Sequence, residues 1–241
     1  MEDINNPLPL FLIMYLIVYL TAFFIFFRAW PPDLRPEASS CSISLAHGTP
    51  AVFLASYAIL SDPTIHFHSP NTPLQNLVLE YSVAYFLMDL LHLFLFSPTD
   101  ILYIGHHLCT LFVFLTCRYV AYHGAFSILV LLILAEVTSF CQNLWTLAGA
   151  RRSDLKFAAT LYDFLSLPFY ALYTVVRGFL APYFVNQMLV SGAGDGAIPQ
   201  WVWISWIFVV IVAISVSILW ISNLWVSLYR ERRKESVKKV M

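Results

Sequence analysis

The chain has 241 residues, of which 60% are hydrophobic and 11% charged, with a formal net charge of −1. A soluble domain needs about a quarter of its residues charged to hydrate its surface, so this composition excludes one and makes lipid the solvent for most of the molecule. It also excludes a basic nucleic-acid-binding domain, and nucleic acid is not expected as a partner.

A hydrocarbon core of ~30 Å needs about 20 apolar residues per helix. Seven stretches reach that length, at 7–27, 41–60, 76–96, 101–121, 125–148, 155–180 and 201–228. Turn chemistry separates them: Pro31-Pro32, Asp62-Pro63, Ser97-Pro98 and the run from Gly192 to Pro199. The predicted fold is all-α, a polytopic membrane bundle or barrel of about seven transmembrane helices around a polar cavity. The first stretch follows an acidic leader, Met1–Asn6, has a long apolar core and lacks a small-residue cleavage site, so it reads as a retained helix rather than a signal peptide.

Lys and Arg accumulate on the cytoplasmic side of membrane proteins. Of the 13 here, Arg118 and Arg177 lie near the far ends of helices 4 and 6. All the others fall in segments that share one side if the C-terminus is cytosolic. The expected topology is therefore N-terminus lumenal and C-terminus cytosolic. Aromatic residues suggest two belts, with Trp30, Trp145, Trp225 and Tyr229 at the inner interface and Trp201, Trp203 and Trp206 at the outer one. Cys41, Cys109, Cys117 and Cys141 form no CxxC pair and are expected as four reduced, buried thiols. Lys238 and Lys239, third and fourth from the C-terminus, match the dilysine signal that returns membrane proteins to the endoplasmic reticulum through coat machinery. A basic tail held at anionic headgroups is the alternative.

An ionisable residue in mid-bilayer costs ~2.5–3.5 kcal/mol and needs an interior partner or a function. Helix 2 carries His47, helix 3 Asp89 and His92, helix 4 His106 and His107, helix 5 Glu136 and helix 6 Asp163. Ser82, Tyr85, Asp89 and His92 fall on one face of helix 3. His106, Thr110 and Cys117 share a face of helix 4; Glu136, Ser139 and Asn143 form a stripe on helix 5, and Asp163, Ser166, Tyr170 and Arg177 one on helix 6. Helices 2 to 6 are therefore expected to line a polar chamber weighted toward the cytosol, with helices 1 and 7, which lack mid-span charge, at the periphery. Three chemistries compete for that chamber. A histidine oriented by a carboxylate could act as base or nucleophile. His and carboxylate could hold zinc or iron, although no HxxHH set occurs and no metal is expected. Pairs between helices could simply fix packing.

At these residues the chain resembles the TLC domain family, named for the translocating-chain-associating membrane protein and the longevity-assurance ceramide synthases. The matching stretches are SCSISLAHGTPAVFLASYAILSDP (40–63), EYSVAYFLMDLLHLFLFSPTDILYIGHHLCT (80–110) and LLILAEVTSFCQNLW (131–145), within a resemblance covering about 35–230. It is most similar to the small plant-type TLC domain proteins and only distantly to ceramide synthases. The resemblance implies three segments: an N-terminal transmembrane helix (1–28), a TLC domain of six transmembrane helices (29–232) and a cytosolic basic tail (233–241).

It further implies a helical barrel around a lipid-accessible cavity in the endoplasmic reticulum membrane. Family members include acyl-CoA-dependent sphingoid-base N-acyltransferases, a cargo-export receptor, translocon partners and regulators of phospholipid composition. The synthases carry HHxxT and HDxxD. His106-His107-Leu108-Cys109-Thr110 matches the first, whereas the region of the second reads Ile133-Leu134-Ala135-Glu136, with one acidic residue.

The leading expectation is a lipid-binding or lipid-sensing protein that influences membrane lipid composition. His47, Tyr85, His92, Thr110, Ser139, Asn143 and Asp163 would line its cavity. The alternative is an N-acyltransferase with His106, His107, Asp89 and Glu136 as catalytic candidates. Acyl-CoA would then be a co-substrate; otherwise no cofactor is expected. A protein-binding role in cargo export is the third possibility.

Overall fold

The computed structural model describes residues 7–62, 66–194 and 196–240, without the side chains of 231, 232 and 234–240. The side chains of Lys238 and Lys239 thus lie outside the described residues. Among the described residues, seven helices are long and apolar enough to cross a membrane. They are α1 (Leu8–Phe26), α2 (Arg35–Leu60), α3 (Pro73–Phe96), α4 (Ile101–Ala121), α5 (Ala125–Ala150), α6 (Lys156–Ser191) and α7, whose apolar part is Gln200–Arg230.

Two boundaries differ from the sequence expectation. Helix α2 begins six residues earlier than 41, with Pro36 in its first turn, where a missing N–H costs nothing. Helix α6 runs on to Ser191 instead of ending near 180. A π-helical turn at Val176–Leu180 carries the helix past that point, and Pro182 then sits in the first turn of the continuing helix. Helix α3 starts on a reciprocal cap. Thr72 Oγ1 accepts from the Gln75 N–H at 3.2 Å, and Gln75 Oε1 accepts from the Thr72 N–H at 3.0 Å.

Loop contacts identify the two ends of the bundle. At one end, Arg151 lies 5.1 Å over the Trp30 ring, which joins the α5–α6 turn to the α1–α2 turn. Arg151 also donates to Asp154 at 2.8 Å and holds that carboxyl below the usual carboxylate range. At the other end, Asn71 donates to the Cys117 carbonyl at 3.0 Å and accepts from the Ala125 N–H at 2.9 Å, so one side chain ties the α2–α3 loop to the α4–α5 turn. That turn needs Gly124. Its φ is +86°, and a Cβ there would meet Ile198 Cδ1 at 2.9 Å and Trp206 Cζ3 at 3.0 Å.

Helix α3 is the axis of the molecule and is buried along most of its length. Its partner α4 folds back against it as an antiparallel hairpin held by two polar pairs in register. Glu80, near the start of α3, accepts from Arg118 Nε at 2.7 Å near the end of α4. Asp89 lies against His107 about two and a half turns further along α3, with Oδ2 2.8 Å from Nε2.

Helix α1 also joins this core through Tyr15 and Tyr19, both buried. Its outer position in the bundle therefore does not make it lipid-facing all round. Trp203 and Trp206 are buried as well, and Trp206 Nε1 donates to Thr116 Oγ1 at 2.8 Å. Of the three tryptophans expected in an outer belt, only Trp201 is exposed. The indole N–H of Trp206 has a partner inside, which removes the usual reason for a Trp to seek the interface. The thiols differ too: Cys41 and Cys117 are buried, Cys141 is intermediate and Cys109 is exposed.

Pro50 lies inside α2 and has no N–H to give to the Ala46 carbonyl. Tyr81 on α3 fills that gap, its hydroxyl donating to Ala46 O at 2.6 Å. Tyr81→Phe should therefore lower stability by about 1–3 kcal/mol, the cost of an orphaned buried acceptor. A thermal melt of the detergent-solubilised protein would read this as a lower midpoint. An unchanged midpoint would mean that the Ala46 carbonyl needs no partner.

Candidate functional site

The i, i+3, i+7, i+10 face of α3 is buried, so Ser82, Tyr85, Asp89 and His92 all point into the bundle. Around them the structure builds a polar seam. Asp89 accepts from Ser40 Oγ of α2 at 2.6 Å through Oδ1, and its Oδ2 faces His107. His107 Nδ1 lies 2.9 Å from the Tyr103 carbonyl one turn back. A carbonyl can only accept, so Nδ1 carries a proton. Nε2 lies 2.8 Å from the Asp89 carboxyl, and a proton on either group makes that contact favourable, as imidazolium and carboxylate or as neutral ring and carboxylic acid. In both forms its net charge is zero, which suits a low-dielectric interior.

His47 on α2 lies at the same level. Its ring stacks on Tyr85 with centroids 4.1 Å apart and planes 6° from parallel, its Nε2 is 3.1 Å from Ser82 Oγ, and its Nδ1 is 4.0 Å from Glu136 Oε1. Gly48, the next residue, permits this approach of α2 to α5. A Cβ there would lie 2.7 Å from both Glu136 Oε2 and Ser139 Oγ. Asn143 donates to Ser44 Oγ at 2.9 Å and to the Ser139 carbonyl at 2.8 Å. His92 Nδ1 meets the Tyr19 hydroxyl of α1 at 3.0 Å.

Beside the seam is a cavity of roughly 130 Å³, walled by α3 to α7. Its polar residues are His106, Thr110, Glu136, Arg177 and Ser217, and the rest of the wall is apolar. Along α7 the wall runs from Val209 to Ser217, near the middle of the apolar stretch Gln200–Arg230.

The single chamber expected from the sequence is thus two compartments. His47, Tyr85, Asp89, His92, His107, Ser139 and Asn143 belong to the packed seam, whereas His106 and Thr110 open on the cavity and Glu136 stands between the two. Helix α2 contributes nothing to the cavity wall, and α7, expected at the periphery, closes it. Asp163 belongs to neither compartment. It is exposed on α6, although Ser166 and Tyr170 of its stripe are buried. Residues three apart differ by about 60° around a helix, which is enough to leave Asp163 on the outer face while Ser166 is buried. Among the described residues, no group of three or more His, Cys, Asp and Glu side chains could hold a metal ion.

Residues 37–226, including all seven seam residues and the cavity wall, match the TLC domain. The chain belongs to the TLC domain family. A TLC domain-containing protein of Arabidopsis thaliana is 57% identical over 242 residues, covering 98% of this chain and 95% of that relative. No solved structure matches the chain.

In this TLC protein the adjacent histidines of the HHxxT element point to different compartments. Their ring planes are 87° apart, with His107 on Asp89 and His106 on the cavity. The sequence pattern missed three partners. Ser40 reaches Asp89 only through the register of α2 against α3, which no one-chain period reveals. The Tyr103 carbonyl is a local i−4 acceptor and was available to helical geometry. The wall on α7 had a faint signal in Val209, Ala213 and Ser217, residues of modest size spaced four apart.

Proposed function

We propose that this TLC protein binds a membrane lipid in the cavity and influences membrane lipid composition from the endoplasmic reticulum. The observation that carries this proposal is the cavity itself. Its few polar groups stand among apolar walls near the middle of the spans, as an amphiphile requires. Residence in the endoplasmic reticulum is supported by Lys238 and Lys239, and a cytosolic C-terminus by the clustering of Lys and Arg at one end of the helices. The bilayer is the source of the ligand, and coat machinery would read the dilysine.

A second reading is favoured by the His107–Asp89 pair, which holds a transferable proton one residue from the cavity-facing His106. In it the protein would transfer an acyl group from acyl-CoA to an amine lipid, with His106 or His107 as base and Asp89 or Glu136 as orienter. One experiment separates the two. The full chain is expressed in cells lacking ceramide synthases, lipid bound to the purified protein is analysed by mass spectrometry, and microsomes are given sphingoid base and acyl-CoA. Bound lipid without N-acylated product is the expected result. Product that disappears in His106→Ala and His107→Ala would replace lipid binding by catalysis. Absence of bound lipid together with an unchanged cellular lipid profile would overturn both in favour of a protein-binding role in cargo export.

A further inference from the structure

Arg177 is the unexplained residue of the cavity wall. It lies in the π-helical turn Val176–Leu180, which interrupts α6 beside the cavity. Helix α5 is also interrupted there, by the turn at Val137–Thr138. The last four carbonyls of the segment Ala125–Glu136 have no partner within that segment, and Arg177 Nη2 donates to one of them, Ala135 O, at 2.6 Å. The guanidinium carbon lies 5.0 Å from the Tyr173 ring centroid. Arg177 Nε is buried with no hydrogen-bond partner.

A guanidinium has five N–H donors and stays charged. One bond to a neutral carbonyl and one ring contact satisfy it only in part. Glu136, the other charged residue on the wall, lies within electrostatic range of Arg177 but makes no hydrogen bond to it, and its Oε1 is turned toward His47 of α2 at 4.0 Å. The cation is therefore held over the cavity with donor capacity left, while the part of the wall from Val209 to Ile214 of α7 is apolar. A buried guanidinium donor left without an acceptor at this depth favours the arrival of an anionic group.

We infer that Arg177 is the head-group site of the cavity and binds the carboxylate or phosphate of a single-chain amphiphile whose hydrocarbon tail lies against α7. The fork of N–H donors matches a planar carboxylate or a phosphate face, and the bonds are charge-assisted. Ala213, on the tail wall, leaves room that a larger side chain would take. This inference rests on the lipid-binding reading above, and the test keeps the two apart.

Binding of oleate, oleoyl lysophosphatidate, oleyl alcohol and sphingosine to the full chain in micelles is measured by native mass spectrometry, with folding checked by gel filtration and thermal melt. Oleate, lysophosphatidate or both should bind at least about tenfold more tightly than oleyl alcohol, and Arg177→Gln should erase that preference. Oleate alone would identify a carboxylate site, and both anions a general oxyanion site. Arg177→Lys, which keeps the charge without the fork, should retain the preference at lower affinity and serves if the glutamine variant does not fold. Ala213→Trp should weaken oleate and oleyl alcohol alike. Equal binding of oleate and oleyl alcohol by the native chain would overturn the anion site, as would a preference for sphingosine or an undiminished preference in Arg177→Gln. Each of these outcomes would leave the lipid cavity standing. No binding by any of the four would overturn the cavity reading and the anion site together.

Discussion

Replacing Asp89 by Asn should leave the protein nearly as stable as the native chain, whereas replacing it by Ala should cost about 3 kcal/mol or more. In the native chain Asp89 accepts from Ser40 and faces His107 Nε2, while His107 Nδ1 is already committed to the Tyr103 carbonyl. Asparagine can reproduce both contacts if its oxygen accepts from Ser40 and its amide donates to a neutral Nε2. Alanine leaves a buried ring nitrogen and a serine hydroxyl facing nothing, and breaking a buried charged pair from one side costs ~3–5 kcal/mol. Thermal melts in detergent measure the difference. The asparagine variant also removes the shared proton while preserving the packing. Under lipid binding it should keep its ligand, and under acyl transfer it should lose turnover. Equal destabilisation by Asn and Ala would show that the Asp89 carboxylate is needed for its charge.

Glu80→Ala should be the more damaging change, lowering stability by about 3–5 kcal/mol. Glu80 is 2% exposed and Arg118 9% exposed, and their 2.7 Å contact pairs two charges that neither lipid nor packed side chains would accept alone. Truncating the carboxylate removes the acceptor 2.7 Å from Arg118 Nε inside the bundle. The double substitution Glu80→Met with Arg118→Met should lie closer to the native chain than Glu80→Ala does, because it removes both desolvated charges together. A double variant less stable than the single one would show that the pair contributes net stability.

Much of the architecture was legible because the bilayer imposes a coarse rule: about 20 apolar residues, then a turn. The seven spans followed from that rule, with errors where the rule is silent. Nothing in hydropathy separates a helix that ends near Leu180 from one that continues through a π turn to Ser191. The inward face of α3 was legible for a different reason: its four polar residues keep helical register over ten positions, and all four are buried. The division of the site was not legible. Periodicity assigns residues to a face, but His106 and His107 differ by 100° around one helix, and only the packing of α7 against α4 decides which of them meets open space. Asp163 illustrates the same limit, since its stripe predicts a side of α6 but not the neighbour that covers it. Arg177 looked like an end-of-helix cation because position along the chain gave its depth, while the broken turn of α5 that it contacts is visible only in three dimensions.

The two polar pairs between α3 and α4 also constrain how the chain enters a bilayer as it is made. Helix α3 carries both acidic partners, Glu80 and Asp89, and α4 carries both basic ones, Arg118 and His107. Inserted singly, α3 would bring two carboxyl groups into hydrocarbon, a penalty of about 5–7 kcal/mol if both were ionised. Its complement follows after only the short turn 97–100. The charges cancel once both helices are side by side, so the two should leave the translocation channel as one hairpin, with the bilayer accepting the pair and not its halves.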